Sequence, residues 1–182
     1  MSQYQIGFIV GSLRKESYNL KLAQALIHLL PENATGSVID IASLPFYNQD
    51  LDGKDSDTVK AFKDSVKEKH GIVFLSPEYN RSISGVLKNA LDIGSRPYGK
   101  SVWQGKVAGV IGTSPGAIGT ALAQQHLRTI VAALDMPTLN HPEMFVQWKD
   151  GMVDEQGQVS EGSREFLQKW VNAYVAWLQA HA

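Results

Sequence analysis

The densest polar chemistry of the chain lies in nine consecutive residues, Gly11-Ser12-Leu13-Arg14-Lys15-Glu16-Ser17-Tyr18-Asn19. Ser12 and Ser17 carry hydroxyls, Asn19 an amide, and Arg14 a planar, permanently charged fork. They follow the apolar run Ile6-Gly7-Phe8-Ile9-Val10. They precede apolar residues at helical spacing: Leu20, Leu22, Ala23, Leu26, Ile27 and Leu30. A strand that ends in a polar loop and runs into a helix N-terminus suits a phosphate. The unpaired N–H groups of the first turn point at the anion, and the helix dipole favours its charge. An ordinary βα turn with a serine N-cap and a solvated Arg-Lys pair accounts for the same residues, and the local sequence does not separate the two. Gly11 is the only glycine of the loop, so this is neither a G-x-G-x-x-G dinucleotide loop nor a G-x-x-x-x-G-K-[ST] triphosphate loop.

Two further loops hold unusual residues. Ser76-Pro77-Glu78-Tyr79-Asn80-Arg81-Ser82-Ile83-Ser84-Gly85 combines an aromatic face with a carboxylate, an amide and a guanidinium. Pro77 restricts Ser76 to extended backbone. A polar turn that caps the next helix at Ser84 is the plainer reading of this stretch. Gly112-Thr113-Ser114-Pro115-Gly116-Ala117-Ile118-Gly119-Thr120 is glycine-rich and permits close approach of a ligand to the backbone. A flat ring on the second and third loops, with its phosphate in the first, explains all three together.

These loops need a frame that gathers them. Strands are expected near 4–10, 38–41, 71–75, 107–111 and 137–140, and helices near 17–30, 56–69, 84–94, 118–134 and 163–179. Gly71-Ile72-Val73-Phe74-Leu75 and Val107-Ala108-Gly109-Val110-Ile111 are continuous apolar runs, as strands buried on both faces require. Leu127, Ile130, Val131 and Leu134 recur at helical spacing. Alternation of strand and helix implies a parallel sheet covered on both faces, a three-layer αβα arrangement. In such sheets ligands lie beyond the carboxyl ends of the strands, where the three loops fall.

Composition narrows the function. The 182 residues, 43% hydrophobic and 19% charged, are expected to form one domain with a sizeable core. Seventeen basic and 18 acidic residues leave a net charge of −1, without the basic stripe of a nucleic-acid binder. There is no cysteine, so disulfides, thiolate metal sites and thiol catalysis are excluded. The five histidines show no ligand-like spacing, and no metal is expected. No apolar stretch reaches membrane-spanning length and no signal peptide is evident, so a cytoplasmic protein is expected. Trp170 and Trp177 on the last helix read as core or interface residues.

The three motifs resemble those of the NADPH-dependent FMN reductase family of flavodoxin-like proteins, in the branch of quinone, chromate and azo-compound reductases. The match rests on Gly11–Asn19, on Pro77-Glu-Tyr-Asn80 with Gly85-Val-Leu-Lys-Asn-Ala-Leu-Asp92 behind it, and on Gly112–Gly119, in the family's order and spacing. The resemblance covers nearly the whole chain. It implies an α/β, flavodoxin-like, doubly wound five-stranded parallel sheet over residues 1–182. It implies FMN, with Ser12, Arg14, Ser17 and Asn19 around its phosphate, and Pro77, Glu78, Tyr79 and Asn80 along the ring. Ser114 and Gly116 approach from the third loop. Arg81 departs from the aromatic residue that relatives often place there, and is expected at the pocket mouth. The resemblance further implies a homodimer or homotetramer.

The expected activity is hydride transfer from NADPH or NADH to bound FMN, then to a quinone or similar acceptor, in ping-pong order. Azo compounds and metal oxyanions are further candidate acceptors. No catalytic acid, base or nucleophile is expected, since the flavin carries the chemistry. A flavodoxin-type one-electron carrier shares the fold but lacks a nicotinamide site. Near-neutral charge and the arginine-bearing loop count against it. A cofactor-free interaction module on the same sheet is a third reading.

Overall fold

In the computed structural model, which describes residues 3–182, five parallel strands stand in the order β2-β1-β3-β4-β5. The strands are β1 (Tyr4–Val10), β2 (Ala34–Ile39), β3 (Gly71–Leu75), β4 (Val107–Ser114) and β5 (Phe145–Gln147). The helices are α1 (Tyr18–His28), α2 (Asp57–Lys67), α3 (Gly85–Gly94), α4 (Ala121–Ala133) and α5 (Glu161–His181). This is the doubly wound, flavodoxin-like sheet that the alternation and the resemblance imply.

The period-two alternation of the strands divides the core into two halves. Ile6, Phe8 and Val10 of β1, Val73 and Leu75 of β3, and Val107 and Ile111 of β4 face α1 and α5. Ile9, Ile72, Phe74, Ala108 and Val110 face α2, α3 and α4. On the α5 side Trp170 and Tyr174 stack with ring centroids 5.6 Å apart and lie directly over Gly109. A Cβ on Gly109 would come within 2.8 Å of the Tyr174 ring, so the close helix–sheet approach requires glycine here. Burial also pushes the Tyr174 hydroxyl pKa well above its ordinary value, so this phenol stays protonated and donates to the Val107 carbonyl at 3.3 Å.

Two strands differ from the sequence reading. β2 begins at Ala34, not near 38. It is an edge strand whose Thr35, Gly36 and Ser37 lack an apolar run, and its register with β1 sets its length. The fifth strand is Phe145–Gln147 rather than 137–140. Residues 137–139 meet β4 only at Ala108, which donates to the Pro137 carbonyl at 2.8 Å and accepts from the Leu139 N–H at 2.9 Å. The chain then leaves and returns beside Gly112–Ser114. Arg128 of α4 pins the excursion, donating to the Leu139 carbonyl at 2.8 Å with Glu143 3.6 Å away. Partial burial lowers its pKa by desolvation, opposed by Glu143.

Candidate functional site

The loops after β1, β3 and β4 converge at the carboxyl edge of the sheet. Gly11 donates its N–H to the Leu75 carbonyl at 2.7 Å, so the first loop leaves directly alongside the second. Ser17 is the N-cap of α1, and its Oγ accepts from the Leu20 N–H at 3.2 Å. Among the described residues, the N–H groups from Ser12 to Asn19, apart from Ser17 in the turn at Lys15 and Glu16, have no hydrogen-bond partner within the chain. A run of unsatisfied donors at a helix N-terminus fits a phosphate. Arg14 is exposed beside it, its guanidinium carbon 5.3 Å from the Tyr18 ring centroid. Tyr18 in turn stacks on Trp148 at 4.9 Å.

Asn19 lies elsewhere than at an open ligand edge. It is only 3% exposed, and its amide both donates to the Thr113 carbonyl and accepts from the Thr113 N–H, each at 3.0 Å. Backbone groups alternate sides along a strand. Ser114 and Ala108 bond toward the β5 side, so Thr113 faces β3. The β3 ladder ends at Leu75 opposite Ile111. The Asn19 side chain therefore stands in for the missing strand and extends the ladder by one position. Spacing alone gives no sign of this, because the partners are 94 residues apart.

The second loop is a two-residue hairpin. Tyr79 and Ser82 exchange N–H···O bonds of 2.9 and 3.0 Å, and Asn80 and Arg81 have φ of 51° and 70°. Positive φ at both central positions marks a type I′ turn, in which asparagine is at ease and arginine is not. Tyr79 is 53% exposed and offers its ring to solvent. Glu78 points inward. Its Oε2 accepts from the Leu122 and Ala123 N–H groups at 3.0 and 3.3 Å, and Oε1 is 3.6 Å from Arg81. Thr120, the N-cap residue of α4, makes no capping bond of its own, so Glu78 supplies the cap from another loop. Sequence reading placed Glu78 at the ring and missed this duty. Ser84 caps α3 as that reading allowed, accepting from Leu87 N–H at 3.4 Å.

In the third segment β4 runs through Gly112, Thr113 and Ser114, so these are strand residues rather than loop residues. Gly112 admits no side chain, since a Cβ would crowd the Thr120 hydroxyl and sit 2.5 Å from the Ser76 carbonyl. Ser114 Oγ donates to the Gly119 carbonyl, and the Gln147 amide donates to the Pro115 carbonyl at 3.0 Å. Gly116 is exposed at the tip. The three segments thus bring unpartnered N–H groups, an exposed aromatic ring and a bare glycine tip to one edge of the sheet. That donor set suits a planar phosphorylated ring such as FMN.

Residues 4–150 match the family model of NADPH-dependent FMN reductase. The chain belongs to the NADPH-dependent FMN reductase family. It is 47% identical over 176 residues to a 2-hydroxy-1,4-benzoquinone reductase of a Burkholderia species, covering 96% of each chain. It is 41% identical over 181 residues to a quinone reductase of Pseudomonas putida, covering 98% of this chain and 97% of the relative. Among solved structures, the flavoenzyme NAD(P)H:(acceptor) oxidoreductase of Paracoccus denitrificans superposes with a TM-score of 0.94 at 39% identity, over 98% of both chains. In this member of the family, then, the loops that the motifs singled out occupy one edge of the sheet.

Proposed function

We propose that this chain, as one domain, is an FMN-dependent NAD(P)H:quinone oxidoreductase. The observation that carries the reading is the set of unpartnered N–H groups in the loop after β1, Ser17 apart, at the same edge of the sheet as the Tyr79 hairpin. When bound, FMN supplies two-electron chemistry, taking hydride from reduced nicotinamide and giving electrons to the acceptor in ping-pong order. The protein binds and orients. Ser12, Arg14 and the loop N–H groups hold the phosphate, while Ser17 and Asn19 fix the loop that presents them. Pro77, Glu78, Tyr79, Asn80 and Arg81 would edge the ring, and Ser114 and Gly116 would approach it from the third loop. Exposure of the Tyr79 hairpin leaves room for a second planar molecule, nicotinamide or quinone in turn. The named relatives act on quinones, which supports quinones here. Azo compounds and metal oxyanions are further acceptors within this reading.

α3 and α4 flank a groove of about 490 Å³ lined by Ile83, Ile130 and Thr129 among others. This face supports a homodimer, or a tetramer built from it. No helix among the described residues is long and apolar enough to cross a membrane, in keeping with the cytoplasmic location we assign. The deciding experiment is anaerobic addition of NADPH or NADH to protein loaded with FMN. Bleaching of the flavin absorbance, reversed by a benzoquinone, is expected. Flavin that both donors leave oxidised would return the chain to the one-electron carriers.

A further inference from the structure

The backbone at Arg81 gains nothing from being arginine. The residue is central in the type I′ turn, with φ at 70°, a region that glycine enters without steric cost and a long side chain does not. Asn80 beside it, at 51°, is of a type that tolerates this region. The Arg81 side chain does not offset the strain by binding the fold. Its Nη1 lies 3.6 Å from Glu78 Oε1, and with the side chain 70% exposed such a pair contributes little. Among the described residues it joins no other ion pair. Glu78 does not depend on it either, since its other oxygen already accepts from the Leu122 and Ala123 N–H groups. The neighbouring groups are occupied. Lys88 gives its ammonium to both Asp92 oxygens at 2.8 Å, and Ser82 lies 3.0 Å from His126 Nδ1. The hairpin therefore presents to solvent the Tyr79 ring, 53% exposed, and one weakly engaged guanidinium. Backbone strain kept without a return in stability points to use.

We propose that Arg81 sets acceptor specificity: its guanidinium pairs with an anionic substituent, a carboxylate or sulfonate, on a quinone whose ring lies at the Tyr79 hairpin. The proposal rests on the oxidoreductase reading above and adds the charge of the acceptor. The planar fork can bond two oxygens of one carboxylate or sulfonate at once, which a lysine ammonium does not reproduce. The Tyr79 ring offers an aromatic face to the quinone itself. Because the guanidinium is exposed, salt screens the attraction. The pairing selects which quinones bind and leaves their two-electron, two-proton reduction unaltered.

The test uses the FMN-loaded protein and two acceptors, a naphthoquinone sulfonate and the same naphthoquinone without its sulfonate. The readout is the ratio of their kcat/KM values. Arg81→Gly, which suits the backbone, should lower the ratio of charged to uncharged acceptor about tenfold. Arg81→Lys, which keeps the charge but not the fork, should fall between parent and Arg81→Gly. Raising ionic strength from about 0.02 M to about 0.5 M should lower the parent's ratio and leave that of Arg81→Gly unchanged. Binding gives a readout independent of turnover. Naphthalene sulfonate, which accepts no electrons, should bind the oxidised parent holoprotein about tenfold more tightly than Arg81→Gly by calorimetry. An unchanged ratio with an unchanged sulfonate Kd overturns the proposal. So does an equal loss with both acceptors, which would make Arg81 a shaper of the hairpin rather than a charge. A rise in donor KM at a constant acceptor ratio would give the guanidinium to the donor phosphates, and loss of FMN would give it to the flavin; either overturns it. Flavin that neither donor reduces removes the oxidoreductase reading and the proposal together, whereas flavin reduced normally with an unchanged ratio removes the proposal alone.

Discussion

Among single side chains, Arg14, proposed for the phosphate, and Asn19, which bonds the scaffold, look alike in sequence. Both are polar and both flank a helix start. Arg14 is exposed and makes no hydrogen bond to the protein among the described residues, only its approach to Tyr18. Arg14→Ala is expected to weaken FMN binding by about 1.5–3 kcal/mol, the scale of a charge-assisted hydrogen bond. That corresponds to roughly tenfold to a few hundredfold in Kd. Riboflavin, which has no phosphate, should bind parent and variant alike, and fluorescence titration reads both. Asn19→Ala is expected to act through stability instead. It strands the N–H and carbonyl of Thr113, which is 1% exposed, and should cost about 2–4 kcal/mol in urea unfolding of the apoprotein. An Asn19→Ala protein of parental stability that lost only FMN would make the amide a ligand after all.

Scaled up to elements, the Glu78 cap and the type I′ hairpin tie the second loop to α4. Glu78→Ala frees two N–H groups in the first turn of α4 and should destabilise by about 1–2 kcal/mol. Glu78→Gln, which keeps an acceptor, should lose less. Arg81 holds φ at 70°, a conformation glycine adopts without steric cost, while its ion pair with Glu78 spans 3.6 Å at 70% side-chain exposure. The exposed pair contributes little, so Arg81→Gly should raise thermal stability by up to about 1 kcal/mol. A fall in Tm would mean the guanidinium matters more than the backbone. The apolar runs of β1, β3 and β4 and the periodic helices were legible because buried central strands and amphipathic faces write themselves into composition. The edge strands were not. β5 has three residues of which only Val146 is buried, so neither length nor hydrophobicity marks it. The Glu78–α4 and Asn19–Thr113 contacts were invisible for a related reason: they are set by topology, across separations of 44 and 94 residues.

For the molecule as a whole, the groove between α3 and α4 adjoins the Tyr79 hairpin through Ser82, whose hydroxyl lies 3.0 Å from His126 Nδ1. Assembly across this face would put a second copy beside the ring site. Sedimentation is expected to show a dimer or larger. Ile130→Glu should shift it to the 20.0 kDa monomer and reduce quinone reduction. A fully active monomer in the parent would detach catalysis from assembly.

The Arg14–Tyr18–Trp148 column gives the molecule its own optical reporter. Of the four tryptophans, Trp103 and Trp170 are sealed in the two halves of the core and Trp177 lies on α5, bonded to the Pro137 carbonyl at 3.3 Å. Only Trp148 is coupled by stacking to Tyr18, at the end of the loop proposed to hold the phosphate. Its emission should therefore record ligand arrival at that loop even for colourless phosphates, and Trp148→Phe should silence that signal while leaving the flavin's own fluorescence change intact.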